Sequence, residues 1–251
     1  MSWLTDAHIH LSDDEFKPDL PFILTAMDKM KMRACCVSMD YASSNATLGI
    51  GKKSNLVLPF LGIHPEKANE DLESVEHLIM DNSNQISGIG EIGLDKTYVS
   101  NEDGFKRQVH VFEKMLSLAE KLGKPISIHS RKTLEEIFSI LPSYRIGGAL
   151  LHWFAGNKKQ LQKAMDMDCF VSYGPAMIYS QDKQILLSQT RLDKVLLETD
   201  GPVKFSKCFG LKTAQITFLP SVLFSASNIL GMSYAETLGI VEKNMNSYLG
   251  M

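Results

Sequence analysis

The feature that most constrains this chain is a regular alternation of short apolar runs with longer segments of helical period. The runs are often β-branched and are bounded by Gly, Pro, Asn or Ser, as is typical of strands buried on both faces of a parallel sheet. There are eight of them: 4–9, 34–39, 56–63, 86–92, 125–129, 148–154, 169–173 and 195–198. Eight strands alternating with helices predict a (β/α)8 TIM barrel.

The clearest helical segment is 103–122. Apolar residues recur along it at i+3 and i+4 spacing and form one stripe: Phe105, Val109, Phe112, Leu116 and Ala119. Ser100 and Asp103 resemble a capping box at its start, and Gly123 followed by Pro125 ends it. Further helices are predicted to begin near residues 20, 71, 133, 157, 181, 213 and 234, so the barrel carries an extra C-terminal helix.

Nothing in the sequence resembles a linker, a charge block or an internal repeat, so residues 1–251 are predicted to form a single domain. An α/β barrel of about 250 residues fits this length. The alternative is an open doubly wound sheet, but the first predicted strand is not followed by the G-x-G-x-x-G turn of that fold.

Composition excludes several classes of protein. With 44% hydrophobic and 22% charged residues, the chain is close to the soluble globular average rather than a disordered chain or a coiled coil. The net charge of −3 means that any contact with nucleic acid is local. Four cysteines without a C-x-x-C pair, no signal peptide and no apolar stretch of about 20 residues predict a cytoplasmic protein without a membrane segment.

Metal-capable side chains follow most of the predicted strands. They lie at or near the carboxyl ends: His8, His10, His64, Glu91, Asp95, His129, His152, Glu198 and Asp200. These ends meet at the catalytic face of a TIM barrel. Side chains two apart on a strand point the same way, so both imidazoles of the H-x-H pair can reach one ion.

Any one of these histidines alone is more often an ordinary core or surface imidazole. The joint pattern is more specific, because five of the seven histidines lie at predicted strand ends. The other two, His77 and His110, lie on polar faces of predicted helices and are expected to be solvated.

Four imidazoles and two carboxylates suit a divalent ion such as Zn or Mn. Six ligands exceed one tetrahedral site, so two ions about 3.5–4 Å apart are expected. Glu91, flanked by Gly90 and Gly93, is the candidate bridge, although such glycines can serve packing alone. Asp200 could accept a proton from the attacking water, or it could instead cap the turn ahead of the Gly-Pro pair that follows it.

The motifs resemble those of the amidohydrolase superfamily and, within it, of the TatD-related deoxyribonucleases. Six strings carry this resemblance, in the order typical of the family: DAHIHL at 6–11, GIHP at 62–65, GIGEIGLD at 88–95, IHSR at 128–131, LHWFAG at 151–156 and LETDGP at 197–202. They span most of the chain, and G-E-I-G-L-D together with E-T-D is specific.

The resemblance implies a hydrolase that acts on DNA or another phosphodiester with two divalent ions (Zn, Mn or Mg). The implied ligands divide into those of one ion, those of the other and a bridge: His8, His10 and Asp200; His129 and His152; and Glu91. His64 and Arg131 match positions near the substrate phosphate. The planar guanidinium of Arg131 suits a phosphate.

The sequence departs from the family pattern around the substrate. Lys96 stands where the family usually carries an aromatic residue, and Trp153 follows the strand-6 histidine where the family usually has Cys. Gly201 replaces a common serine, and Tyr173 opens an unusual segment after strand 7. Trp153 and Tyr173 could stack bases of a single strand or could pack their own loops. The metal ligands are intact, whereas the substrate contacts are altered.

Charged residues in the loops after the strands leave two interpretations open. Seven are basic: Lys96, Arg131, Lys132, Lys158, Lys159, Lys204 and Lys207. Four are acidic: Asp13, Asp14, Glu15 and Glu66. They could form a basic mouth on an acidic body or a mixed, solvated rim.

The leading hypothesis is a deoxyribonuclease that acts on DNA ends. The alternative is a small-molecule hydrolase that cleaves an amide, ester or lactone, since the same metal chemistry would serve it. A basic, open mouth favours the former, and a closed apolar pocket favours the latter. A non-catalytic scaffold on the same barrel is the third hypothesis, which the costly polar residues at the strand ends disfavour.

Overall fold

Eight parallel strands form one sheet in the order of the chain, each hydrogen-bonded to the next, in a computed structural model that describes residues 2–251. The strands are β1 (Leu4–Ile9), β2 (Met32–Val37), β3 (Val57–Leu61), β4 (Gly88–Asp95), β5 (Ile126–Arg131), β6 (Ala149–Leu151), β7 (Phe170–Tyr173) and β8 (Val195–Leu197). Nearly all of their residues are buried, as the apolar runs predict. The (β/α)8 barrel is confirmed.

Seven helices connect the strands and two more follow the last strand. They are α1 (Leu20–Met30), α2 (Tyr41–Gly51), α3 (Leu72–Asp81), α4 (Glu102–Leu122), α5 (Leu134–Ile140), α6 (Lys158–Asp166), α7 (Gln181–Gln189), α8 (Leu219–Leu230) and α9 (Tyr234–Leu249). The extra C-terminal helix is therefore present as α9. His77 on α3 and His110 on α4 are exposed, as predicted.

Helix α2 is absent from the sequence-based prediction because its residues are weak helix formers, rich in Ser, Asn and Gly. Its start is stabilised by a capping box, in which Asp40 Oδ1 accepts a hydrogen bond from the Ser43 backbone N–H at 2.8 Å. Leu48 and Ile50 are buried within the apolar core. Capping and packing, rather than propensity, therefore form this helix.

The predicted start of the longest helix is wrong by one residue. Asn101, and not Ser100, caps α4, and its Oδ1 accepts a hydrogen bond from the Gly104 backbone N–H at 2.8 Å. Asp103 lies inside the first turn, where a negative charge favours the helix dipole. The predicted apolar stripe does face the core.

A buried carboxylate joins the first strand to the segment after the last. Asp6 Oδ1 accepts a hydrogen bond from the Thr199 backbone N–H at 3.0 Å, and Asp6 Oδ2 accepts one from the Thr199 hydroxyl. The Asp200 backbone N–H donates to the carbonyl of His8 at 3.0 Å. These bonds bring the carboxyl ends of β1 and β8 together.

Helix α9 covers the amino-terminal end of the barrel. Met245 and Tyr248 are buried against side chains of the barrel interior. The Tyr248 ring lies 6.0 Å from Phe60 and 5.6 Å from Phe170, between ring centroids, and its hydroxyl donates to the Ile126 carbonyl at 3.0 Å. The barrel interior is thus filled at this end.

Within residues 2–251, no single helix is long and apolar enough to cross a membrane. One sharply bent pair, Ile216–Leu230 with Tyr234–Leu249, meets the length and composition criteria together.

We expect Tyr248 to be a main source of stability for α9. Tyr248→Ala should lower the free energy of unfolding by about 3–5 kcal/mol because it leaves a cavity beneath the helix. Tyr248→Phe should cost about 1–3 kcal/mol, since the Ile126 carbonyl loses a buried partner. Urea denaturation measures both. Tyr234→Ala, at an exposed position of the same helix, is the control and should stay within about 0.5 kcal/mol of the wild type.

Candidate metal centre

The predicted ligands meet around the buried carboxylate of Glu91 on β4. One oxygen, Oε2, lies 3.4 Å from His8 Nε2 and 3.3 Å from His10 Nε2. The other, Oε1, lies 2.9 Å from His129 Nδ1 and 2.8 Å from His152 Nε2. Each carboxylate oxygen therefore faces a different pair of imidazoles, which is the arrangement expected of a bridging ligand.

Asp200 lies on the side of the first pair. Its Oδ1 is 3.8 Å from His8 Nε2 and 3.9 Å from His10 Nε2, and the residue is buried just after β8. Asp200 therefore lies near the first pair, but the His152 ring stacks on that of His8 at 3.7 Å between centroids, and His8, His152 and Asp200 also lie close enough together to share an ion. The structure thus brings the predicted ligands together around Glu91, whereas their division between two ions stays a prediction.

Two glycines allow β4 to approach β5 closely enough for this contact. Gly93 has φ +143°, and a Cβ there would lie 2.1 Å from the His129 carbonyl oxygen. A Cβ at Gly90 would lie 2.9 Å from the Ser127 Cβ. The glycines on either side of Glu91 therefore serve strand packing, and this packing places Glu91 beside His129.

Hydrogen bonds outside the centre orient two of the imidazoles. His129 Nε2 donates to Asp95 Oδ2 at 2.8 Å, and Nδ1 lies 2.9 Å from Glu91 Oε1. Burial lowers the pKa of His129, but the hydrogen bonds to Asp95 and Glu91 outweigh it and raise the pKa to about 9. Because Nε2 is held by Asp95, Nδ1 is the nitrogen that a cation displacing the proton would use. His8 Nδ1 is paired with the Ser127 hydroxyl at 2.8 Å, which directs Nε2 inward. Asp95 therefore orients the His129 ring through Nε2, the nitrogen that points away from Glu91.

In His64 the nitrogen that faces the centre carries the ring proton. Its Nδ1 accepts a hydrogen bond from the Glu66 backbone N–H at 3.2 Å, so the neutral ring carries its proton on Nε2. Nε2 lies 3.6 Å from Glu91 Oε1. Burial lowers the pKa of His64 to about 4, which keeps the ring neutral. His64 therefore offers the centre a donor, as a substrate contact requires, rather than a lone pair for a metal.

The donor set fits divalent cations. His8 Nε2 is buried and has no hydrogen-bond partner within residues 2–251. Its nearest carboxylate oxygens, on Glu91 and Asp200, lie at 3.4 and 3.8 Å, beyond hydrogen-bond distance and consistent with ligands that share an ion. Imidazole and carboxylate ligands together suit Zn or Mn.

The buried acidic groups also favour a cation here. Burial raises the pKa of Asp6 to about 7 and that of Glu198 to about 8. Burial, followed by repulsion from Glu198, raises the pKa of Asp200 well above its usual range. A bound cation would offset this cost and keep the carboxylates ionised at neutral pH.

Asp6 and Glu198 have structural roles that the sequence-based assignment omits. Glu198 Oε1 accepts a hydrogen bond from the Trp153 backbone N–H at 2.8 Å, and Oε2 accepts one from the Ser172 hydroxyl at 2.5 Å. It thereby holds the chain just after His152. The sequence does carry a signal for these two roles. Each acid lies two residues before a predicted ligand, in D-x-H and in E-x-D, and residues two apart on a strand share a face.

Arg131, at the end of β5, is exposed beside the centre. It lines a cavity of about 330 Å³ together with His129, His152 and Trp153. The guanidinium forms no salt bridge with any residue in 2–251. The structure therefore places Arg131 where a phosphate contact is predicted, with its hydrogen-bonding capacity open.

The rest of the rim is mixed in charge rather than uniformly basic. Lys96 is paired with Glu136, and Lys204 Nζ lies 3.2 Å from Glu15 Oε1. Asp14 is paired with a neighbouring lysine. Of the two interpretations of the loops, the structure favours the mixed rim.

The aromatic residues near the mouth differ from the prediction. Tyr173 is buried and its hydroxyl lies 2.7 Å from the Thr190 hydroxyl, so it packs its loop and cannot stack a base. Trp153 is half-buried and lines the cavity. Tyr98, which lies in none of the sequence motifs, is exposed and contacts His64.

A histidine–carboxylate centre at the carboxyl ends of the strands of a (β/α)8 barrel is an arrangement typical of metal-dependent hydrolases. Comparison with known proteins narrows this class. The family model described as TatD related DNase matches residues 5–250. The chain belongs to this family.

Individual relatives agree with this placement. The chain is 28% identical over 213 residues to deoxyribonuclease TATDN3 of Homo sapiens, and the match covers 79% of this chain and 78% of that protein. It is 29% identical over 242 residues to an uncharacterized metal-dependent hydrolase of Methanocaldococcus jannaschii, with 95% and 94% covered. The crystal structure of YjjV, a TatD homologue from Escherichia coli, superposes with a TM-score of 0.89 at 20% identity, covering 99% and 98% of the two chains.

Metal retention tests the role of Glu91. Glu91→Gln should weaken binding of Mn or Zn by at least about 100-fold, because a neutral amide replaces the shared anion. Metal content after dialysis, measured by mass spectrometry, and the metal-dependent rise in melting temperature should both fall. Glu66→Gln, an exposed acid near the mouth, is the matched control and should retain metal. Full retention by Glu91→Gln would contradict the bridging role.

Proposed function

We propose that this protein is a divalent-metal-dependent deoxyribonuclease that hydrolyses phosphodiester bonds at DNA ends and uses two ions. The observation that carries the proposal is the division of the Glu91 oxygens between two imidazole pairs, next to an exposed Arg131. The relative from Homo sapiens is named a deoxyribonuclease, and the one from Methanocaldococcus jannaschii a metal-dependent hydrolase. Both names agree with this chemistry.

In this proposal six residues hold the ions: His8, His10, Glu91, His129, His152 and Asp200. Two bound ions would lower the pKa of a shared water and stabilise negative charge on the phosphate. The chain itself then has two tasks, which are to bind the phosphate and to accept a proton.

Phosphate binding is assigned to Arg131 and His64. The exposed guanidinium can donate two parallel hydrogen bonds, and His64 presents the proton of Nε2. Arg131 lines the cavity, and the His64 ring lies 4.5 Å between centroids from that of His129, which lines the same cavity. The buried carboxylate of Asp200 is assigned the proton from the attacking water.

The alternative of a small acyl substrate is less well supported. Its mark would be a closed apolar pocket, whereas Arg131 and Ala155 in the cavity wall are both exposed. An unpaired guanidinium in that wall suits an anionic substrate. A pure scaffold is disfavoured because several buried polar groups face one point, which costs stability unless they bind something.

Hydrolysis of a labelled single-stranded DNA oligonucleotide tests the proposal directly. We expect shortening with Mg or Mn, none with EDTA, and a loss in Asp200→Asn of at least about 100-fold in kcat, since this variant lacks the proton acceptor. The order of the products reports the direction of attack. Metal-loaded protein that leaves the oligonucleotide intact would contradict the proposal and favour a small-molecule substrate.

Arg131→Ala tests the phosphate contact separately. We expect kcat/KM for the oligonucleotide to fall about 10- to 100-fold, the effect of losing a charge-assisted hydrogen bond of about 1.5–3 kcal/mol, with metal content unchanged. Lys132→Ala removes the neighbouring exposed positive charge and should change kcat/KM by less than about threefold. Equal losses in both variants would indicate a general charge effect instead.

A further inference from the structure

An exposed aromatic ring stands at the rim of the centre on the side of His64. Tyr98 lies in the loop between β4 and α4, and its side chain is 48% exposed. Its ring centroid is 5.7 Å from that of His64, and the two rings are nearly perpendicular at 76°. His64 in turn faces Glu91, so a single imidazole separates Tyr98 from the middle of the centre.

The loop that carries Tyr98 is anchored on the side that leaves β4. The backbone N–H and the hydroxyl of Thr97 both donate to Asp95 Oδ1, at 2.7 and 2.6 Å. The Lys96 backbone N–H donates to the Arg131 carbonyl at 3.2 Å, and the Lys96 ammonium pairs with Glu136. The segment that leads into Tyr98 is therefore held in place before any ligand binds, which lowers the ordering cost of a contact.

The phenol of Tyr98 is unsuited to acid–base chemistry. Burial, followed by the charges of Glu66 and Asp95, raises the pKa of Tyr98 above its ordinary value, so the hydroxyl stays protonated and neutral at physiological pH. The exposed ring face is then the part of this residue that is available to a ligand. A neutral aromatic face suits a planar, uncharged group rather than a phosphate.

We propose that Tyr98 forms a nucleobase subsite, in which its ring stacks on the base of the nucleotide whose phosphate is held by His64 and Arg131. This inference rests on the proposed function. Stacking on aromatic side chains tolerates every base, because each has a π-face. A base inside a duplex is already stacked and paired, so the subsite selects single-stranded or frayed ends.

The test compares base removal with ring removal. Three short single-stranded oligonucleotides are used, one intact, one abasic at the 3′-terminal nucleotide and one abasic at the 5′-terminal nucleotide. Tyr98→Leu should lower kcat/KM about 10-fold on the intact strand, as expected for the loss of one base–aromatic stack. On the strand that is abasic at the cleaved end, the same variant should lose less than about twofold.

Conservative and control variants isolate the ring. Tyr98→Phe keeps the aromatic face and should retain kcat/KM within about twofold. Tyr234→Leu replaces a similarly exposed tyrosine, far along the chain on α9, and should match the wild type. The dissociation constant of a fluorescein-labelled intact strand, measured in EDTA, should weaken about 10-fold in Tyr98→Leu and stay constant in Tyr98→Phe.

The outcomes separate the subsite from the proposed function. An equal loss on intact and abasic strands, or a loss of bound metal in Tyr98→Leu, would assign the ring to support of His64 and overturn the subsite alone. An unchanged Tyr98→Leu would also overturn the subsite alone. A metal-loaded wild type that cleaves none of the three strands would overturn the deoxyribonuclease function and the subsite together.

Discussion

A carboxylate buried among imidazoles is the constraint on which the rest of the structure depends. Burying the charge of Glu91 is costly, and the cost falls only if cationic or coordinating partners surround it. Its two oxygens need different partners, so histidines must arrive from different strands. A parallel barrel meets this requirement because the carboxyl ends of all its strands converge. Gly90 and Gly93 complete the arrangement by letting β4 lie close against β5.

The same hydrogen bonds that close the barrel also build the centre. Asp6 ties β1 to Thr199, and it lies two residues before His8 on the same face of the strand. Thr199 in turn precedes Asp200, whose backbone bonds to His8. The hydrogen bonds that close the barrel therefore also bring His8, His10 and Asp200 together. This coupling explains why fully buried polar groups occupy the first strand and the segment directly after the last strand.

The barrel and the ligand set could be predicted from sequence because both depend on local patterns. Apolar runs indicate buried strands, and polar residues at their ends indicate a common mouth. Features that depend on tertiary contacts could not be predicted. Helix α2 forms through the Asp40 cap and its packing, despite weak propensity. Two lysines of the rim, Lys96 and Lys204, pair with acids distant in sequence. Tyr98 reaches His64 only because of the path of its loop.

Helix α9 is synthesised after the barrel that it covers, and this order affects the nascent chain. The ribosome completes all eight strands, and with them every proposed ligand up to Asp200, before it makes Met245 and Tyr248. Until these two residues emerge, the apolar side chains at the amino-terminal end of the barrel, including Phe60 and Phe170, are not covered. Such a surface is prone to self-association and to capture by chaperones. During synthesis of this protein, all the proposed ligands are therefore present in the chain before the apolar core is covered at the amino-terminal end of the barrel.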